Sequence, residues 1–144
     1  MKSTDPPVIV AHTFNTSVQK VWSAITDLDQ MRQWYFDQLQ DLRPEVGFKT
    51  QFVVQVEDRV FTHLWEVNQV ILLQKITYNW KFLEYPGNGD VTFELIPEND
   101  YVKLRLIVDT LESYPDHIPE FKRESCIQGW EYFIGQNLKE YLKS

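Results

Sequence analysis

The sequence predicts an α+β domain in which a curved antiparallel six-stranded sheet wraps around a long carboxy-terminal helix, in the order β-αα-βββββ-α. Three observations carry this. Between residues 48 and 108, apolar and polar side chains alternate in five successive segments joined by short turns, the pattern of an antiparallel meander with one wet face. From about Ile118 to Leu142, with no proline after Pro119, apolar residues recur at three- and four-residue steps, which reads as one long amphipathic helix. Near the amino terminus a β-branched run is followed by two short helix-like stretches. Nothing in the chain has the composition of a linker or an internal repeat, so residues 1–144 read as one domain.

The elements follow in order. Val8 to Phe14 alternates and suits a first strand. Ser17 is placed to cap a helix of about three turns whose stripe is Val18, Val21, Trp22, Ile25 and Leu28. Asp27 to Asp29 interrupts it, and a second short helix carries Met31, Trp34 and Tyr35 up to the Arg43-Pro44 turn. Phe48, Phe52, Val54 and Val56 share one face of the next strand, and Glu57-Asp58 turns the chain. Phe61, Trp65 and Val67 form the apolar phase of a third strand, and Leu72, Ile76, Tyr78 and Trp80 that of a fourth. The cluster from Tyr85 to Asp90 makes a turn before Val91, Phe93 and Leu95, and Val102, Leu104, Leu106 and Val108 complete the sheet. In the last helix Ile127, Trp130, Ile134, Leu138 and Tyr141 form the buried stripe, widened by Cys126 and Phe133. A twisted sheet of this length, gripped by a helix across its concave side, leaves room for a gap between them.

Composition excludes several functions. A net charge of −7 and the absence of a basic patch make nucleic acid an unsuitable partner; Lys122 and Arg123 are flanked by Glu120 and Glu124, as on a salt-bridged helix face. Cys126 is the single cysteine, so cysteine-based zinc or iron–sulfur centres and internal disulfides are excluded. The first residues include Lys2, Asp5 and two prolines, and no apolar run reaches the ~20 residues of a membrane span. The expected location is cytoplasmic. None of these features specifies an oligomeric state.

Several local patterns carry a family resemblance. Ser17, Val18, Val21, Trp22, Ala24, Ile25 and Thr26, then Trp34-Tyr35 and Gly47, match the opening third of one family, and Val67, Ile76, Tyr78 and Trp80 match its middle strands. Val91-Thr92-Phe93-Glu94-Leu95 follows, and Gly129-Trp130 with Leu138, Lys139, Tyr141 and Leu142 matches its closing helix. In this order they resemble the START-like or SRPBCC superfamily, and within it the branch similar to the carboxy-terminal domain of activators of the heat-shock-protein-90 ATPase. The resemblance implies a helix-grip fold and makes a chaperone an alternative partner. Asn99-Asp100-Tyr101 stands where the family often has a Gly-Gly-Thr turn, and His63 near a family glycine, departures that alter the cavity rim more than the scaffold.

No convergent catalytic set stands out. Of the three histidines only His63 shares the strand phase of Phe61, Trp65 and Val67, which makes it the one candidate ligand contact or base. A lone histidine without a positioned carboxylate is more often a hydrogen-bonded core residue. His12, Asp116 and His117 lack metal-ligand spacing, and Glu66, Glu94 and Arg105 alternate outward. Cys126 falls on the buried stripe as a small hydrophobe. The aromatic excess suggests a non-catalytic site for a small hydrophobic or amphipathic molecule, with no cofactor and no metal. Its expected walls are Trp34, Tyr35, Phe52, Trp65, Trp80, Phe93, Trp130 and Phe133, and its expected polar rim His63, Tyr78, Tyr101 and Tyr114. Periodicity tells which faces are buried and leaves open whether the space between them is filled. The alternatives are a chaperone-activator-type interaction module and, since some superfamily relatives are cyclases or hydrolases, an enzyme of that kind.

Overall fold

The computed structural model describes residues 1–143. Strand β1 (Val8–Phe14) leads into α1 (Val18–Thr26) and α2 (Leu28–Trp34), followed by β2 (Lys49–Val56), β3 (Arg59–Ile71), β4 (Lys75–Phe82), β5 (Asn88–Pro97) and β6 (Val102–Glu112). The sheet order is β1-β6-β5-β4-β3-β2, antiparallel throughout. The expected order β-αα-βββββ-α is the one observed. Because β1 and β2 lie at opposite edges, the α1–α2 connection must cross the sheet.

Local chemistry sets the joints. The Ser17 side chain accepts the Lys20 N–H and opens α1, and Asp27 both ends α1, its N–H bonded to the Ser23 carbonyl, and caps α2 by accepting from Gln30 N–H. Glu57 takes a left-handed conformation, φ 58°, so that Glu57-Asp58 makes a two-residue hairpin between Val56 and its partner Arg59. β3 is longer than its apolar pattern implied, and a bulge between Val67 and Gln69 bends it. Leu72, expected in β4, is instead 72% exposed in the β3–β4 turn.

The carboxy-terminal helix departs most from expectation. Pro119 starts a separate 3₁₀ turn, Pro119–Phe121, where a ring that fixes φ and lacks an N–H is tolerated. Then come α3 (Arg123–Trp130), a π-helical segment (Glu131–Leu138) and α4 (Lys139–Lys143). Trp130, Ile134 and Leu138 are buried at steps of four. Four residues overshoot an α turn by about 40°, whereas the wider π turn, closed by i→i+5 bonds, holds such a series nearer one line. Inward strand positions face this helix: Val8, Val10 and Phe14 on β1, Phe52 on β2, Trp65 and Val67 on β3, Ile76, Tyr78 and Trp80 on β4, Phe93 on β5 and Leu104 and Leu106 on β6. No helix among the described residues is long and apolar enough to cross a membrane.

Candidate functional site

The space between sheet and helix divides into two ends. Under α2 it is filled. Trp34 and Tyr35 stack with centroids 4.8 Å apart, Tyr35 and Trp65 lie 5.7 Å apart, and Trp65 and Tyr78 4.6 Å apart. The Trp34 indole donates to the Ala24 carbonyl at 2.8 Å, and the Tyr35 and Tyr78 hydroxyls meet at 3.2 Å. Burial raises the pKa of both tyrosines. Trp65 Nε1 finds no oxygen or nitrogen acceptor among the rings of Tyr35, Phe36, Phe52, Tyr78 and Trp80.

Toward the Pro119–Phe121 turn, a cavity of about 290 Å³ opens. The sheet supplies Val54, Val56, Phe61, His63, Trp80, Phe82, Gly89, Val91 and Val108; the helix side supplies Ser125, Cys126, Gly129, Trp130 and Phe133; Met1, Phe36, Tyr114, Glu120 and Phe121 complete the lining. Register explains the neighbours: His63 lies opposite both Phe52 and Phe82, Trp65 opposite Trp80, and Val91 opposite Val108. α3 contributes small side chains here. A β-carbon placed on Gly129 would meet nothing within 4 Å, although the residue faces the cavity.

The surround is held by specific contacts. The Tyr114 ring lies so close to the β4–β5 turn that a β-carbon on Gly87, φ 119°, would sit 2.2 Å from it, so only glycine fits. The Tyr114 hydroxyl donates to the Trp80 carbonyl at 3.3 Å. Arg59, at the tip of the β2–β3 hairpin, donates to both oxygens of Glu120, at 3.0 and 2.7 Å, and ties the hairpin to the 3₁₀ turn.

His63 is the most constrained polar group of the cavity. Its ring stacks on Phe52, centroids 4.6 Å apart and 5° from parallel, and Phe36 and Phe82 lie 5.1 and 4.8 Å away. Trp80 Nε1 donates to His63 Nδ1 at 2.9 Å. Burial lowers the His63 pKa to about 3, outweighing the opposing effect of the Glu84 carboxylate. Glu84 is itself bonded to the Thr62 N–H and hydroxyl, and these bonds hold its carboxyl below the ordinary range. Cys126 is pushed up to about 11 by burial, so it stays a thiol at neutral pH.

Five residues expected at a binding site, His63, Trp80, Tyr114, Trp130 and Phe133, line this cavity. Trp34, Tyr35, Phe52, Trp65, Tyr78 and Phe93 do not: they are buried, and they pack against one another and the helices. Tyr101 is 41% exposed between β5 and β6, at the opposite end of those strands from Gly89 and Val108, and touches neither region. Phe36, Phe61, Phe82 and Phe121 were missed as lining; Phe82 continues the phase of Tyr78 and Trp80, and Phe61 that of His63, signals present in the sequence. His12 also occupies an inward position, between Val10 and Phe14, where its Nε2 lies 2.8 Å from Glu131 Oε2. His63 is alone in the phase of Phe61, Trp65 and Val67 but is not the only histidine at an inward strand position, and the His12–Glu131 contact lies outside the cavity lining. Among the described residues, no three His, Cys, Asp or Glu side chains converge as metal ligands.

Known structures share this fold. A protein of the dynemicin biosynthetic locus aligns with a TM-score of 0.76 at 23% identity over 97% of this chain; the match spans 48% of that protein, about half its length. A Mesorhizobium loti protein gives 0.73 at 22% identity, covering 96% of this chain and 97% of its own. An HSP90 activator from Plasmodium falciparum gives 0.74 at 19% identity, covering 96% and 97%. No curated protein matches by sequence. The model of the family described as "Activator of Hsp90 ATPase homolog 1-like protein" matches residues 15–143, and the chain belongs to that family, within the START-like or SRPBCC fold.

Proposed function

We propose that the chain acts as one cytoplasmic domain that holds a small hydrophobic or amphipathic molecule, without chemical change, in the cavity beside Trp80 and Trp130. The carrying observation is the apolar lining opposite small helix residues: Ser125, Cys126 and Gly129 leave the rings of the sheet unmatched. Its volume, about 290 Å³, lies near the lower limit of small-molecule sites. Catalysis is poorly supported, since a histidine whose pKa is about 3 is a weak base and its Nδ1 lone pair is committed to Trp80. The test is binding of N-phenyl-1-naphthylamine, an uncharged dye that brightens in apolar surroundings. The unmodified protein should brighten it saturably, and Gly129→Leu should abolish the signal while remaining folded by circular dichroism. No saturable signal from the unmodified protein, or an unchanged one from Gly129→Leu, would sink the reading.

The family and fold are those of ligand-binding and Hsp90-activator-like modules. A second reading, a chaperone-activator module, draws support from that membership and from the likeness to the Plasmodium activator. Titrating the chain into a purified heat-shock-protein-90 ATPase assay decides it: this reading expects a dose-dependent rise in turnover, and a flat response at saturation dismisses it.

A further inference from the structure

The position of one proton indicates what kind of molecule the cavity selects. In a neutral imidazole one ring nitrogen donates and the other accepts. Trp80 Nε1 can only donate, and it points at His63 Nδ1 at 2.9 Å. The His63 proton is therefore on Nε2. That nitrogen has no hydrogen-bond partner among the described residues, yet it is not among the sealed-off polar atoms, and the residue lines the cavity. Stacking on Phe52 and the edge contact with Phe82 prevent the ring from turning away.

Of the other polar groups around the space, the Ser125 hydroxyl on the helix side has no partner among the described residues, and the rest are already committed or weak. The Tyr114 hydroxyl hydrogen goes to the Trp80 carbonyl, both Glu120 oxygens are taken by Arg59, and Cys126 is a protonated thiol, a weak donor. The lining contains no lysine or arginine, and its one cationic group, the Met1 ammonium, donates to the Phe121 carbonyl at 2.7 Å. His63 stays uncharged, and the carboxylates nearest these groups, Glu84 acting on His63 and Glu120 in the lining, are negative. An anion placed at His63 would thus be desolvated beside the Glu84 carboxylate, with an uncharged N–H as its partner.

Building on the proposed binding role, we infer that the cavity selects an uncharged apolar molecule bearing one hydrogen-bond acceptor, of the ketone, quinone or ester class, whose oxygen receives the His63 Nε2 proton, and that it rejects the corresponding carboxylate. A net hydrogen bond of 0.5–1.5 kcal/mol corresponds to a preference of roughly two- to tenfold over a hydrocarbon of the same shape.

The test uses three ligands of one shape: 2-acetylnaphthalene, 2-isopropylnaphthalene and 2-naphthoate, each measured by calorimetric titration at pH 7. The ketone should bind severalfold more tightly than the hydrocarbon, and the carboxylate should bind most weakly. In a protein labelled with ¹⁵N-histidine, the His63 Nε2–H resonance should shift with the ketone and stay in place with the hydrocarbon. His63→Phe, which keeps a ring in place, should equalise the ketone and the hydrocarbon. Equal affinity of ketone and hydrocarbon for the unmodified protein, with an unmoved Nε2–H signal, overturns this inference and leaves apolar binding standing. Tightest binding by naphthoate overturns it as well. Binding by none of the three removes the proposed function together with the inference.

Discussion

The two ends of the interior are roofed by the same strands yet one is full and the other hollow. On β4 the contrast unfolds within five residues: Tyr78 is sealed among Tyr35, Trp65 and Phe93, Trp80 borders the gap, and Phe82 faces it. The sheet alone does not make this difference. Tyr78 meets Tyr35, itself stacked on Trp34, whereas around Phe82 the rings of Tyr114 and Phe121 stand to one side and α3 adds only Ser125, Cys126 and Gly129 before Trp130. Occupancy of this interior thus follows the small residues of α3, set against the rings that β3 and β4 carry at both ends.

The comparison breaks most visibly if the filled end proves soft. Trp34→Ala removes a side chain 1% exposed, bonded to Ala24 and stacked on Tyr35, and should cost about 3–5 kcal/mol in equilibrium denaturation. A loss below about 1 kcal/mol, the scale of an ordinary surface substitution, would mean that this end is not solid.

His63, at the border, sharpens the contrast through pH. Its folded pKa of about 3 lies below the ordinary 6.5, so the unfolded chain binds more protons between those values. Its contribution to stability is complete above pH 6.5 and is lost as pH falls toward 3. Each pH unit crossed inside that window, with one more proton on the unfolded chain, removes about 1.4 kcal/mol. Between pH 7 and pH 5 the protein should therefore lose about 2 kcal/mol relative to His63→Phe. A dry hollow end requires that loss; a flat difference between the two proteins would mean that water reaches the ring. The smallest effect is expected at Gly129, where a methyl group meets no atom within 4 Å. Gly129→Ala should raise stability by about 1 kcal/mol through helix propensity, read as an increase in the denaturation midpoint.

Much of the scaffold is legible in the sequence because each of its signals is local. Period-two alternation locates Phe52, Phe93 and Leu104 on the inner face, Ser17 marks where α1 begins, and Asp27 marks where it breaks. Leu72 misleads because apolar alternation runs on into a turn, and His12 is overlooked because a polar residue hides in an apolar strand phase. The cavity is less legible, since whether Tyr78 or Phe82 is covered depends on residues far away in the chain. Trp34 and Trp130 look equivalent by periodicity, yet one is enclosed and the other borders open space. The small residues of α3 held the missing signal: a glycine and a cysteine on the buried side of an amphipathic helix mark where a large partner side chain is absent.

The π-helical segment has a consequence for how this chain tolerates change. Each such turn holds more chain than an α turn, so Glu131–Leu138 stores slack in the middle of the gripping helix. Beyond it, Tyr141 still reaches Gln30 at 3.1 Å. Loss of one residue at exposed Gln136 could be taken up by tightening the coil, with the distal turn keeping its orientation. The same deletion within α3, which has no such reserve, would swing everything after it by about 100°.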